Sequence, residues 1–174
     1  MPASSSGRAP PWYGGLRGFD SLRRLCVVEA LIDHLPSRLA VMAETKRKGD
    51  LGEAMVMADV LRRGYQVAIP VGEDWRYDLI VLRHAKLERV QCKFTESDGH
   101  AIQVKCRSTN NWATHKYTAK DLDWLVVYDR TTDRCYYVPA DLLGEGRTVI
   151  HLRLTQAKNG QQKGVLWAKD FVDW

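Results

Sequence analysis

From Leu51 to Leu61 apolar residues fall on nearly every side of a helical projection, whereas from Arg89 to Phe94 they alternate with polar ones. The first pattern predicts a helix over Lys48–Gly64, with Asp50 as N-cap and Gly64 just past its end, buried on more than one face. The second predicts a half-buried strand, with Gln91 and Lys93 on one face and Val90, Cys92 and Phe94 on the other. Between them, Arg76–Leu82 follows a Gly72-Glu73-Asp74 turn and reads as a strand with Asp78 near its start, paired with Arg89–Phe94 as a hairpin across His84–Leu87. Further on, Asp123–Tyr128 and Cys135–Pro139 form a second hairpin around a turn at Asp129–Arg134. Asp141–Leu143 is one helical turn, Val149–Leu154 alternates as another strand, and Gln156–Gly164 is a polar loop before Val165–Trp167. Trp167, Phe171 and Trp174 are read as packing or oligomer contacts. The fold class is α/β (α+β): a central, mixed, mostly antiparallel sheet with the Glu53 helix on one face.

The beginning of the chain has another character. Met1–Gly18 is rich in Ser, Pro, Gly and Arg and reads as disordered, and Asp20–Leu39 as a short amphipathic helix stopped by Pro36. Glu29 and Asp33 interrupt its apolar stretch, which makes it a poor signal-peptide core.

Composition narrows the function classes. A chain of 174 residues, 45% of them hydrophobic, buries one core and reads as one domain. No apolar run is long enough to span a bilayer, so no membrane partner is expected. Cys26, Cys92, Cys106 and Cys135 show no zinc spacing; Cys92 and Cys106 read as buried strand residues, reduced as in a cytoplasm. The formal charge of +5 permits an anionic partner. Its distribution says more: residues 83–120 hold eight lysines and arginines against three acids. Within that stretch Lys105, Arg107, Ser108, Asn110, Asn111, Trp112, His115, Lys116 and Tyr117 combine cations, hydroxyls, amides and aromatic rings. Such groups bind phosphates and touch base edges. A solvated loop with Trp112 tucked against the core fits the same residues. His100 and His115 are candidates for phosphate contact or auxiliary proton transfer.

Glu53, Asp78, Gln91 and Lys93 carry the candidate chemistry. A carboxylate beside Val56 and Met57, such as Glu53, must be paired, protonated or metal-bound. Cleaving a phosphodiester calls for a hard cation that offsets charge on the phosphate and acidifies a bound water. Mg2+ is held by one or two carboxylates and keeps several waters. Asp78 is the candidate direct ligand, with the backbone carbonyl of Cys92 second, Glu53 direct or through water, and Gln91 offering a neutral oxygen. Lys93 is the compact cation that orients the attacking water, helps to deprotonate it, or stabilises developing charge. Taken singly, each residue has a plainer reading: Glu53 as a cap or an ion pair with Arg62 or Arg63, Asp78 as a turn residue, Lys93 as a solvated strand lysine.

Taken in order, they resemble the PD-(D/E)XK nuclease superfamily. The likeness rests on the Gly49–Glu53 helix start, on Tyr77-Asp78, and on Gln91-Cys92-Lys93, with Gln91 where an acid is usual and Tyr77 where the proline stands. It is strongest to the group I intron-associated members, which also use Gln-x-Lys, and runs from about Lys46 to Val138. The resemblance implies a restriction-endonuclease-like core, flanked by helices. The chain is expected to divide into a partly disordered N-terminal extension over 1–41, ending just before Met42-Ala43-Glu44, a nuclease domain over 42–155 and a tail over 156–174 that packs on the domain. The same resemblance implies an Mg2+-dependent endonuclease acting on double-stranded DNA, of homing type and tied to a mobile element, with Mn2+ as substitute ion and no organic cofactor. One active site cuts one strand at a time, so a homo-oligomer, dimer or tetramer, is expected. The place is the cytoplasm, on the nucleoid when DNA is bound. A Holliday junction resolvase-like nuclease and a DNA-binding protein with a decayed site are the alternatives.

Overall fold

The structure, a computed structural model, describes residues 37–72, 74–109, 113–156, 160 and 162–174, with side chains from Val41 onward. The chain divides into two units, 1–43 and 44–174, and every strand among the described residues belongs to the second. The expected disordered stretch and amphipathic helix lie outside the described residues, apart from the latter's last three positions.

Helix α1 spans Ser37–Arg62. It therefore begins well before Asp50, which sits in mid-helix and caps nothing. The Lys48-Gly49-Asp50 stretch looks like a start because Gly and Asp are poor helix formers, yet one glycine costs only about 1 kcal/mol and the helix runs through. Its end is as expected: Gly64 takes φ +83, the left-handed conformation that closes a helix.

Five strands form the main sheet, in the order β1 (Gln66–Ala68), β2 (Leu79–Arg83), β3 (Lys86–Thr95), β7 (Trp124–Asp129) and β8 (Arg134–Pro139). Only the β3–β7 pair is parallel, with Cys92 opposite Val126; the other neighbours are antiparallel. The sheet is thus mixed and mostly antiparallel, as expected. The β2–β3 hairpin turns on two residues, His84 and Ala85, both at positive φ, with Lys86 and Leu87 already in β3. This is the mirror-image turn that matches strand twist.

A second sheet, in the order β10 (Leu166–Trp167), β9 (Val149–Arg153) and β4 (Ala101–Lys105), went unpredicted at β4. A two-stranded ribbon joins β5 (Arg107–Thr109) to β6 (Thr114–Lys116). Ala140–Leu143 and Ala168–Phe171 are single 3-10 turns. Among the described residues α1 is the one α-helix, so the expected flanking helices reduce to one: the opposite face of the main sheet is covered by the small sheet instead.

Two cores result. Val56 and Val60 of α1 pack on Leu79, Val81, Val90, Cys92, Val126 and Tyr137. On the other face Leu125, Val127, Tyr136 and Val138 meet Ile102, Val104, Ile150 and Leu152 of the small sheet. The terminal aromatics are packing residues: Phe171 is buried in the second core, and Trp174 stacks on Tyr137 at 4.7 Å between ring centroids. Cys92, Cys106 and Cys135 are buried free thiols, with Cys106 between strands rather than in one. Burial pushes Cys106 up to about 11 and Cys135 up to about 12, so both stay protonated.

Candidate active site

β3 is the central rail of the site. Because it is covered on both faces, its alternation sorts side chains between two interiors: Cys92 goes toward α1, while Gln91 and Lys93 face the small sheet's side. Asp78 stands immediately before β2, and its own N–H donates to the Val90 carbonyl at 2.9 Å, which locks the aspartate to the strand. Its Oδ2 accepts the Cys92 backbone N–H at 2.7 Å and the Gln91 side-chain amide at 2.5 Å. The same Gln91 Nε2 lies 3.3 Å from the Cys92 carbonyl. A single amide nitrogen thus bridges the two oxygens that the sequence marks as first and second metal ligands.

Glu53 arrives from α1. Gly52 makes this approach feasible: a Cβ there would stand 3.0 Å from the Phe94 Cβ and 3.3 Å from the Lys93 carbonyl carbon and oxygen. The helix lies directly on β3 at the residues that follow Cys92, and Glu53 is the next position along it. Glu53 makes no ion pair with Arg62 or Arg63; Arg63 pairs instead with Asp59 at 2.8 Å.

The electrostatics fit a cation-binding site. Burial raises the Glu53 pKa first, and the neighbouring charges of Asp78 and Asp50 raise it further. Burial also raises Asp78, against the Cys92 N–H, the Lys93 charge and the Gln91 amide, which favour the ionised form. Two mutually repelling carboxylates with a backbone carbonyl make a hard-oxygen donor set of the kind Mg2+ takes. No group of three or more His, Cys, Asp or Glu residues suited to a metal occurs among the described residues, so a bound ion would keep several waters. Gln91 presents its nitrogen to Asp78; turning the amide half over would present its oxygen.

Lys93 is half-buried and donates to the Tyr117 hydroxyl at 3.3 Å. A groove of about 500 Å3 runs beside this end of β3, lined by Lys48, Gly49, Phe94, Gln103 and Lys105. Sequence reasoning missed Lys48 and Gln103; the alternation Ile102, Val104 in β4 is the signal that sends Gln103 and Lys105 outward. Another pocket, of about 290 Å3, lies between α1 and the β7–β8 hairpin, contains Asp59, Arg63 and Asp133, and shares no residue with the site.

The basic stretch divides. Lys105, Arg107, Ser108 and Lys116 are exposed on or beside the β5–β6 ribbon, and His115 is half-buried, its Nε2 3.4 Å from Asp121 without hydrogen-bond geometry. Tyr117 is 3% exposed and so is closed to a nucleic acid. Asn110, Asn111 and Trp112 lie outside the described residues. His100 is exposed, in a turn fixed by Asp98, away from the four central residues in sequence and on the β4–β9 side. No described helix is long and apolar enough to cross a membrane.

Comparison with known proteins bears on the family and the fold. The sequence model of the PD-(D/E)XK endonuclease family matches residues 43–173. Among solved structures, the bacterial homing endonuclease I-Ssp6803I is similar at 26% identity and a TM-score of 0.53, over 68% of this chain and 83% of that one. No curated protein matches the chain. The mixed sheet with α1 over one face is a restriction-endonuclease-like fold. With the family's model spanning most of the chain, this protein belongs to the PD-(D/E)XK endonucleases and is a nuclease.

Proposed function

We propose that the chain is an Mg2+-dependent endonuclease that hydrolyses phosphodiester bonds of double-stranded DNA, with the homing type as its nearest functional class. The observation that carries this reading is Asp78 held by the Cys92 N–H and the Gln91 amide, with the charge of Glu53 acting on the same point and Lys93 two residues along the strand from Gln91. Similarity to a homing endonuclease supports the subtype.

In this reading Asp78, the Cys92 carbonyl and Glu53 would hold the ion, and Gln91 would complete or steer the set. When bound, Mg2+ supplies positive charge to the scissile phosphate and lowers the pKa of a water. The protein's own part is positioning. The Val90 and Cys92 backbones fix Asp78; the close approach at Gly52 fixes Glu53; Lys93 places a cation where charge develops on the phosphate or on the attacking water. Lys105, Arg107 and Lys116 hold the DNA backbone, and Ser108 supplies a contact at the ribbon; Asn110, Asn111 and Trp112 are further candidates for contact with the DNA. Because one such site severs one strand, a homo-oligomer cuts both.

The test is nicking of supercoiled plasmid and of a four-way junction with Mg2+, comparing the unchanged protein with Asp78→Ala and Lys93→Ala. Magnesium-dependent cutting of duplex, lost in both variants without unfolding, is the expected result. Preference for the junction would make the protein a resolvase-like enzyme, and salt-sensitive binding with no cutting would make it a DNA-binding protein with a decayed site.

A further inference from the structure

Lysine is a poor tool for a fixed task unless something holds it. Its four-carbon stem carries substantial rotamer freedom, and its ammonium is a mobile point charge. Among the described residues Lys93 has no carboxylate in ion-pair contact; its ammonium donates to the Tyr117 hydroxyl, 3.3 Å away. The same nitrogen stands 5.1 Å from the centroid of the Tyr117 ring, within cation–π range. Both contacts come from one side chain, and that side chain is buried.

Tyr117 is itself held firmly. Its backbone N–H donates to the Cys106 carbonyl at 3.0 Å, closing the base of the β5–β6 ribbon one residue beyond the Arg107–Lys116 pair. The His115 ring meets its ring edge-on at 5.7 Å. Next along the chain, Thr118 is pinned by Asp121, which accepts from both its N–H and its hydroxyl at 3.0 Å. The tyrosine hydroxyl is thus a fixed acceptor at the root of the ribbon, one residue from its exposed cations Arg107 and Lys116.

We propose that Tyr117 is the positioning residue for Lys93, holding its ammonium through the phenolic hydroxyl at the root of the β5–β6 ribbon. This rests on the reading of Lys93 as a cation of the cleavage reaction. Tyr117 touches neither the DNA nor the ion; it acts through the lysine. Among the described residues Lys93 is the hydroxyl's one hydrogen-bond partner; as mere packing a buried hydroxyl would be costly, and phenylalanine would fill the same space.

The test is Tyr117→Phe, which keeps the ring and removes the acceptor. Two readouts are taken: single-turnover cleavage of duplex with Mg2+, alongside DNA affinity, and the 13C NMR order of the Lys93 Cε in the metal-free, DNA-free protein. The expected result is a cleavage rate lower by about tenfold, the effect of one hydrogen bond to a charged group, with DNA affinity unchanged and Lys93 Cε more mobile. In a Lys93→Met background the same substitution is expected to slow cleavage no further. Unchanged Lys93 order in Tyr117→Phe overturns the proposal, as does an unchanged rate in an otherwise active protein. If the unchanged protein cuts no DNA, the nuclease reading fails on its own, and the NMR comparison still decides whether Tyr117 holds Lys93.

Discussion

Gln91 stands at the most sensitive point of the site, because its amide nitrogen donates to Asp78 Oδ2 and lies near the Cys92 carbonyl. Gln91→Glu replaces that donor with a third carboxylate. The metal-free variant is expected to lose about 1–3 kcal/mol of stability, the usual cost of breaking a buried polar pair, and to be stabilised more by Mg2+ than the unchanged protein is. Thermal unfolding with chelator and with Mg2+ checks both. The carboxylates also set a pH dependence. Glu53 and Asp78 have raised pKa values, Glu53 by burial and then by the charge of Asp78, Asp78 by burial. A carboxyl raised in the folded protein contributes stability that is fully present below its unfolded value and lost as pH rises through its folded value. Asp123 acts in the opposite sense: burial raises it, but hydrogen bonds from Arg89 prevail and lower it, so its contribution is lost on acidification. The double variant Glu53→Gln with Asp78→Asn should therefore remove a stability loss that metal-free protein shows as pH rises above the ordinary carboxylate range. Urea midpoints across that range measure it, and a slope identical to that of the unchanged protein would contradict the assignment.

Element packing turns on Gly52, where α1 lies on β3. Gly52→Ala would gain about 1 kcal/mol in helix propensity. Against this, the new Cβ meets Phe94 Cβ at 3.0 Å and the Lys93 backbone at 3.3 Å, and β3 is held between β2 and β7. Overpacking costs about 1–3 kcal/mol, so crowding should win. The expected outcome is a net loss of stability together with a large fall in cleavage rate, at unchanged DNA affinity, because Glu53 is carried away with the helix. Chemical denaturation and single-turnover kinetics check it. The elements on either side were readable from their patterns: the β2–β3 and β7–β8 hairpins, the 3-10 turn at Ala140–Leu143 and the β9 strand stand where alternation and turn residues put them. The start of α1 and the β4 strand were not. The helix continues through Gly49-Asp50 because intrinsic preferences of that size are overridden by neighbouring turns. Five-residue β4 offers too short an alternation to separate from a loop without its partner β9.

At the scale of the whole molecule, charge and layering divide the work. One face of the main sheet carries α1 and brings Glu53; the other carries the small sheet, the ribbon root and Tyr117. The cations Lys105, Arg107 and Lys116 lie exposed along β4, β5 and β6. Substituting all three by alanine should weaken DNA binding across sequences alike. It should also reduce the slope of log affinity against log salt by about 2.7, roughly 0.9 for each phosphate that is no longer neutralised. Binding isotherms at several salt concentrations check this, and an unchanged slope would place the DNA elsewhere.

The identities and order of Glu53, Asp78, Gln91 and Lys93, the strand alternation around them and the clustering of cations after residue 83 were settled by the sequence alone, because residue chemistry and local period are local properties. Which oxygen the Gln91 amide faces, why a glycine must precede Glu53, and that Tyr117 lies beneath Lys93 instead of facing a nucleic acid were decided only by tertiary structure. Each depends on two segments far apart in the chain meeting across a packed layer, 24 residues apart for Lys93 and Tyr117, and no local pattern encodes a distance of that kind.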